Sequence, residues 1–161
     1  MNEKHVPRQL FLVRHGEATS KDEDPERPLT NTGRSEVASV ADWAASIGIR
    51  IDMIRHSGKL RAQQTAEIFA ERLAAAPPQV ASGLAPNGDV VPIGEALQHG
   101  QGNVMLVGHL PFLGRLAALL LAGDAERNVV SLDAGALIGL CHTEDGWTAV
   151  CLLQPKLLTQ S

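Results

Sequence analysis

The sequence predicts an α/β fold, a mainly parallel central sheet with helices on both faces, and three observations carry that prediction. Short apolar runs at residues 10–13, 51–54 and 103–107 have the length and side chains of buried strands. Longer stretches with apolar residues at helical spacing follow them, the alternation that builds a parallel sheet covered on two sides. Basic or imidazole side chains stand at the strand exits, Arg14 and His15, Arg55 and His56, and His109, and the carboxyl edge of such a sheet is where sites gather.

Taken in order, residues 1–8 are a polar lead-in whose His5 is read as incidental. The first strand, residues 10–13, runs into Arg14, His15, Gly16 and Glu17, and residues 18–27, dense in Lys, Asp and Glu, read as a solvated loop. Thr30 or Thr32 is the expected cap of a first helix in which Val37, Val40, Ala41, Ala44 and Ile47 share one face, with Gly48 as its stop. Residues 51–54 are the second strand. A second helix opens within residues 57–66, continues through Ile68, Phe69 and Leu73, and ends before Pro77 and Pro78, which cannot extend the backbone ladder. A short strand near Val80, a loop over 83–89 and a helix over 90–99 come next. Residues 103–109 form the third apolar strand, expected at the sheet centre, and 110–121 an apolar helix stopped by Gly123. Two strands, 136–141 and 147–153, close the chain around Asp145 and Gly146.

Length and composition set the bounds. At 161 residues the chain fits one domain, with its core over about 9–155 and no repeat or linker dividing it. Aromatic residues are only 3% and Tyr is absent, so the core is Leu, Val, Ile and Ala, and stacking platforms for single-stranded nucleic acid are scarce. A net charge of -4 excludes general nucleic-acid or anionic-membrane binding, so any anion site is local. Cys141 and Cys151 are too few for a disulfide framework and lack zinc-site spacing; they read as buried or half-buried thiols of a reducing compartment. No signal-peptide pattern is present, and residues 116–122, the most apolar segment, fall short of the ~20 a membrane span needs. A cytoplasmic monomer is the expectation.

At the first strand exit, Arg14 offers a rigid fork of donors suited to a phosphoryl group, His15 a ring nitrogen largely neutral near pH 7, and Gly16 room beside the imidazole. Three further stretches follow in order: Arg27-Pro28-Leu29-Thr30 with Gly33, Ser57 to Ala66 carrying Arg61, and Gly108-His109-Leu110-Pro111. Together these resemble the motifs of the histidine phosphatase, or phosphoglycerate mutase-like, superfamily, in which Pro is usual where this chain has Gly58. The short length, the 27–30 loop, the 86–89 segment and the His109-Leu110-Pro111 exit are similar to the SixA-type branch, phosphohistidine phosphatases of bacteria. Larger relatives insert a helical lobe over the pocket, for which this chain has no room.

The resemblance implies a three-layer α/β/α sandwich of the phosphoglycerate mutase-like type and a metal-independent phosphatase that uses no cofactor. It implies His15 as the nucleophile, Arg14 and Arg61 as clamps on the equatorial oxygens, His109 as a further donor, protonated beside the phosphate, and Arg27 at the rim touching substrate. Glu17, beside the nucleophile, and Asp89, in the loop where the family often keeps its acid, are the possible general acids. Capping or pairing is the alternative for both. A phosphoimidazole substrate relaxes the demand for an acid, which favours a phosphorylated histidine phosphotransfer domain or phosphocarrier protein as partner. A small-molecule phosphomonoesterase and a non-catalytic phosphoprotein-binding module stay open as other readings. His56, His99 and His142 show no metal-ligand spacing and read as structural or surface residues, and Glu67, Glu71 and Arg72 as a solvated helix face.

Overall fold

A computed structural model describes residues 7–158. His5 and residues 1–6 of the polar lead-in expected over 1–8 lie outside these described residues, and Arg8, the last of that lead-in, already belongs to the first strand. The elements are β1 (Arg8–Arg14), α1 (Asn31–Ser46), β2 (Met53–His56), α2 (Leu60–Arg72), β3 (Gln79–Val80), α3 (Val90–His99), β4 (Val104–Gly108), α4 (Phe112–Ala122), β5 (Leu137–Thr143) and β6 (Gly146–Leu153). They form one six-stranded sheet in the order β3-β2-β4-β1-β5-β6. The first four of these strands run parallel, while on the far side of β1 the strand β5 pairs antiparallel with β1 and β6 pairs antiparallel with β5, so the sheet is mixed.

Side-chain alternation along the central strands builds two cores. Leu10 and Leu12 of β1, Leu106 of β4 and Ile138 and Leu140 of β5 pack with Phe112, Leu113 and Leu116 of α4 and Val90 of α3. Phe11 and Val13, Met105 and Val107, and Ile54 point the other way, onto Val37, Val40 and Ala41 of α1 and Ala62, Ala66 and Phe69 of α2. That is the α/β/α sandwich. Phe69 is wholly buried, and its truncation to Ala costs about 3–5 kcal/mol by the usual transfer and cavity terms.

Element ends depart from the sequence reading where local bonds intervene. The second strand begins at Met53 rather than Ile51, because Asp52 is used as a joint: its backbone N–H donates to the Asn103 carbonyl (2.8 Å) and its carboxylate accepts from the Asn103 N–H (2.7 Å). Pairing with β4 therefore starts at Met53 opposite Val104 and carries on to His56. The apolar helix starts at Phe112 rather than Leu110, leaving Leu110 partly exposed. Ile47, expected on the buried face of α1, caps its C-terminus and is 55% exposed. In the last hairpin Thr143 pairs with Gly146, so Glu144 and Asp145 make the turn. Arg72, read as a solvated charge, reaches from α2 to the Asp42 carboxylate of α1 at 2.8 Å.

Candidate active site

The carboxyl ends of β1 and β4 lie side by side at the sheet centre, and the site is built there. Beyond Arg14 the chain is clasped by backbone bonds from three directions. The His15 N–H donates to the Gly108 carbonyl, and the Gly135 N–H to the carbonyls of Arg14 and His15, each at 3.0–3.1 Å. The buried Gly16 N–H donates to Thr65 Oγ1 of α2 at 3.0 Å. A Cβ on Gly16 would stand 2.7 Å from Val37 Cγ2, and one on Gly33 only 2.2 Å from the Glu17 carbonyl oxygen. Glycine is required at both because the His15 turn is pressed against the start of α1.

His15 is thereby fixed in one tautomer. Its Nδ1 lies 2.8 Å from the Gly16 carbonyl, which can only accept, so Nδ1 carries the proton and Nε2 keeps its lone pair. Burial, with the nearby charges of Arg61, Arg14 and Arg27, lowers its pKa to about 4, against the partial support of the Gly16 bond. The ring is neutral at pH 7 with a free basic nitrogen. His109, directly after β4, is 2% exposed, and its ring centroid lies 5.0 Å from that of His15. Burial first, then His15, Arg61, Lys59 and Arg27, push its pKa to about 3. These causes keep the His109 ring neutral near pH 7; the charged ring expected beside a phosphoryl group needs that group's negative charge to offset them.

Arg14 points from the end of β1, with Nη1 donating to the Leu132 carbonyl at 2.8 Å. Arg61 sits in the first turn of α2, its pKa lowered by burial and by Arg27. Arg27 adopts a left-handed backbone (φ 51°), and its Nε donates to the Thr19 carbonyl at 3.0 Å. Arg14 Nε, Arg61 Nε and His109 Nδ1 are buried with no protein partner. The charges bearing on both imidazoles are cations. In a chain of net charge -4, this concentrates unpaired donors and positive charge at one point, the electrostatic description of an oxyanion site.

Both carboxylate candidates have an oxygen engaged at a helix start. Glu17 Oε2 accepts from Thr30 Oγ1 at 2.6 Å, and Thr30 in turn caps α1 by accepting from the Gly33 N–H at 2.9 Å. Asp89 caps α3, accepting from the Val91 N–H at 3.0 Å. Thr30, not Thr32, is the α1 cap. Among the described residues, no group of three or more His, Cys, Asp or Glu residues is arranged to hold a metal ion, and no helix is long and apolar enough to cross a membrane.

Several contributors had no role in the sequence reading. Thr65 is wholly buried on the apolar face of α2 and also donates to the Arg61 carbonyl at 2.8 Å; a hydroxyl on such a face was the signal. Gln64 Oε1 accepts from the Leu29 N–H at 2.8 Å, tying the Arg27 loop to α2. Ser57 Oγ lies 2.6 Å from His109 Nε2. Gly58 takes φ +92°, which proline cannot, so this turn is built differently from the Pro-containing form of the motif.

The family model for the histidine phosphatase superfamily (branch 1) matches residues 10–85. The chain is 34% identical to phosphohistidine phosphatase SixA of Escherichia coli (strain K12), over 72% of this chain and 76% of that protein. The chain belongs to the histidine phosphatase superfamily. An uncharacterized protein of Picosynechococcus sp. (strain ATCC 27264 / PCC 7002 / PR-6) is 34% identical over 93% of this chain and 98% of its own length. Among solved structures, that of the protein histidine phosphatase SixA complexed with tungstate superposes with a TM-score of 0.83 at 30% identity, covering 94% of this chain and 99% of that one. The mixed α/β sandwich is the phosphoglycerate mutase-like fold of the superfamily, and the protein is a phosphatase.

Proposed function

We propose that this phosphatase removes the phosphoryl group from phosphohistidine on a histidine phosphotransfer or phosphocarrier protein, through a phosphohistidine formed on His15. His15 Nε2 attacks phosphorus in line; the Nε2–P bond forms as the substrate's N–P bond breaks, and the departing imidazole takes a proton from solvent. Water then attacks the same phosphorus on the opposite side from Nε2. Inorganic phosphate leaves and His15 returns to its starting tautomer.

The observation that carries this reading is the state of His15. Its Nδ1 is committed to the Gly16 carbonyl, so a lone pair is presented at Nε2 among the guanidinium groups of Arg14 and Arg61. The two guanidinium forks hold the equatorial oxygens and neutralise charge through the transition state. A bound phosphoryl dianion reverses the field at His109, which then takes a proton and donates to a third oxygen. Arg27, whose charge bears on both imidazoles and on Arg61, stands at the rim to meet the substrate.

Leaving-group chemistry selects the substrate class. An alkoxide departs poorly without a proton donor, and here Glu17 braces the α1 cap while Asp89 caps α3. Imidazole departs more readily and takes its proton from water, so with both carboxylates engaged at helix starts the site still turns over phosphohistidine. The likeness to SixA, solved with the tetrahedral oxyanion tungstate, supports the same anion cradle. The test is turnover on phosphorylated histidine phosphotransfer domains and phosphocarriers beside a panel of sugar and glycerate phosphates. The phosphoproteins should be preferred by at least about a hundredfold in kcat/KM, the scale of one general-acid contribution. Preference for a small phosphomonoester would overturn it.

A further inference from the structure

We infer that Ser57 is a positioning residue that holds His109 as the tautomer protonated at Nδ1, leaving that N–H as the donor for a phosphoryl oxygen. The inference rests on the phosphatase reading of this site.

The geometry begins one residue beyond β2, where Ser57 leaves the sheet next to the exit of β4. Its Oγ lies 2.6 Å from His109 Nε2, a short hydrogen bond between a hydroxyl and a ring nitrogen. The Lys59 N–H approaches the same oxygen at 3.4 Å, occupying an acceptor direction and turning the hydroxyl proton toward the ring. A neutral imidazole has one donor and one acceptor, so a ring that accepts at Nε2 donates at Nδ1.

His109 Nδ1 is buried with no protein partner, as are Arg14 Nε and Arg61 Nε in the same cluster. All three belong to residues that surround His15, and polar atoms left without a protein partner there suit a multi-oxygen anion. The opposite tautomer would give Nε2–H to Ser57 and turn a lone pair toward the anion, adding repulsion where the site needs a donor. Ser57 also serves the charged state: once His109 has taken a proton from solvent beside the phosphoryl dianion, the hydroxyl rotates and accepts from Nε2–H. A group that both donates and accepts is needed across the cycle, which threonine retains and alanine does not.

The test pairs a spectrum with kinetics. Two-bond proton–nitrogen correlation of uniformly labelled wild-type protein at pH 7 should show His109 protonated at Nδ1. In Ser57→Ala that preference should be lost, with kcat on a phosphorylated phosphotransfer protein falling about tenfold to a hundredfold and KM within about threefold, because a lost bond to a transition-state donor is felt in kcat. Ser57→Thr should restore both readouts to within about threefold of wild type. Wild-type His109 protonated at Nε2, or Ser57→Ala turning over at the wild-type rate, would overturn the inference. The wild-type spectrum decides the tautomer even if Ser57→Ala does not fold. A wild type without turnover on any phosphate substrate, yet protonated at Nδ1, would refute the phosphatase reading and not the pairing.

Discussion

Replacing Thr65 by valine removes one oxygen from the middle of the molecule and keeps the shape of the side chain. That oxygen bonds to two elements at once, accepting from the Gly16 N–H at 3.0 Å and donating to the Arg61 carbonyl at 2.8 Å, in a position with no solvent exposure. The Arg61 carbonyl keeps its place in the helix ladder, so the Gly16 N–H is the group left stranded. A buried donor without a partner costs about 1–3 kcal/mol. For a chain of this size each kcal/mol lowers Tm by about 2–4 °C, so Thr65→Val should melt roughly 2–12 °C below wild type. Activity should fall further than stability alone explains, since the bond locks the nucleophile's turn to the helix that carries Arg61. Calorimetry read beside kcat/KM on a phosphohistidine protein is the assay, with Thr65→Ser as the control that keeps the hydroxyl. A Thr65→Val protein melting within a degree of wild type and fully active would refute the claim that this hydroxyl holds the site together.

His15 and His109 are held near 4 and near 3, below their ordinary 6.5, so the unfolded chain binds protons the folded one refuses. The stability they contribute is fully present above pH 6.5 and is lost as the pH falls through about 4 and then about 3; melts across this window should show a smaller acid loss in His15→Asn than in wild type. Arg61→Lys keeps the charge and loses the fork, and should reduce kcat by about 10²–10³ with little change in Tm. Asp89→Asn preserves a capping side chain and should retain activity on phosphohistidine within about twofold; a hundredfold loss would reinstate Asp89 as the proton donor. Gly33→Ala should destabilise by about 1–3 kcal/mol in denaturant unfolding, because its Cβ meets backbone atoms of Glu17 rather than a yielding side chain.

Sequence legibility tracked how local the determining physics is. The continuous apolar runs around Phe11 and Leu106 and the 3.6-period face of Val37, Val40, Ala41 and Ala44 announce the layers, because burial acts on every residue of those runs and of that face. Helix α3 was readable to the residue, with Asp89 before it and Gly100 after. The β2 boundary was not, since Ile51 has strand character but the Asp52 joint to Asn103 belongs to a segment some fifty residues away. In the site, motif order pointed to Arg14, His15, Arg61 and His109, whereas the His15 tautomer depends on a carbonyl direction and the Ser57 contact on two strand exits lying side by side. Such pairings have no spacing in the chain to betray them. Thr65 was half legible: a hydroxyl among Ala62, Ala66 and Phe69 calls for a buried partner without naming Gly16.

In the proposed reaction His15 Nε2 becomes bonded to phosphorus during every turnover. Rapid quenching of the reaction with a phosphohistidine protein labelled at phosphorus, followed by peptide mapping and phosphorus NMR under alkaline conditions, measures this directly. The expected result is transient label on His15 at Nε2, at an amount approaching one per enzyme molecule early in the reaction. Turnover proceeding at full rate with no label ever on that ring, or unimpaired in His15→Ala, would contradict it.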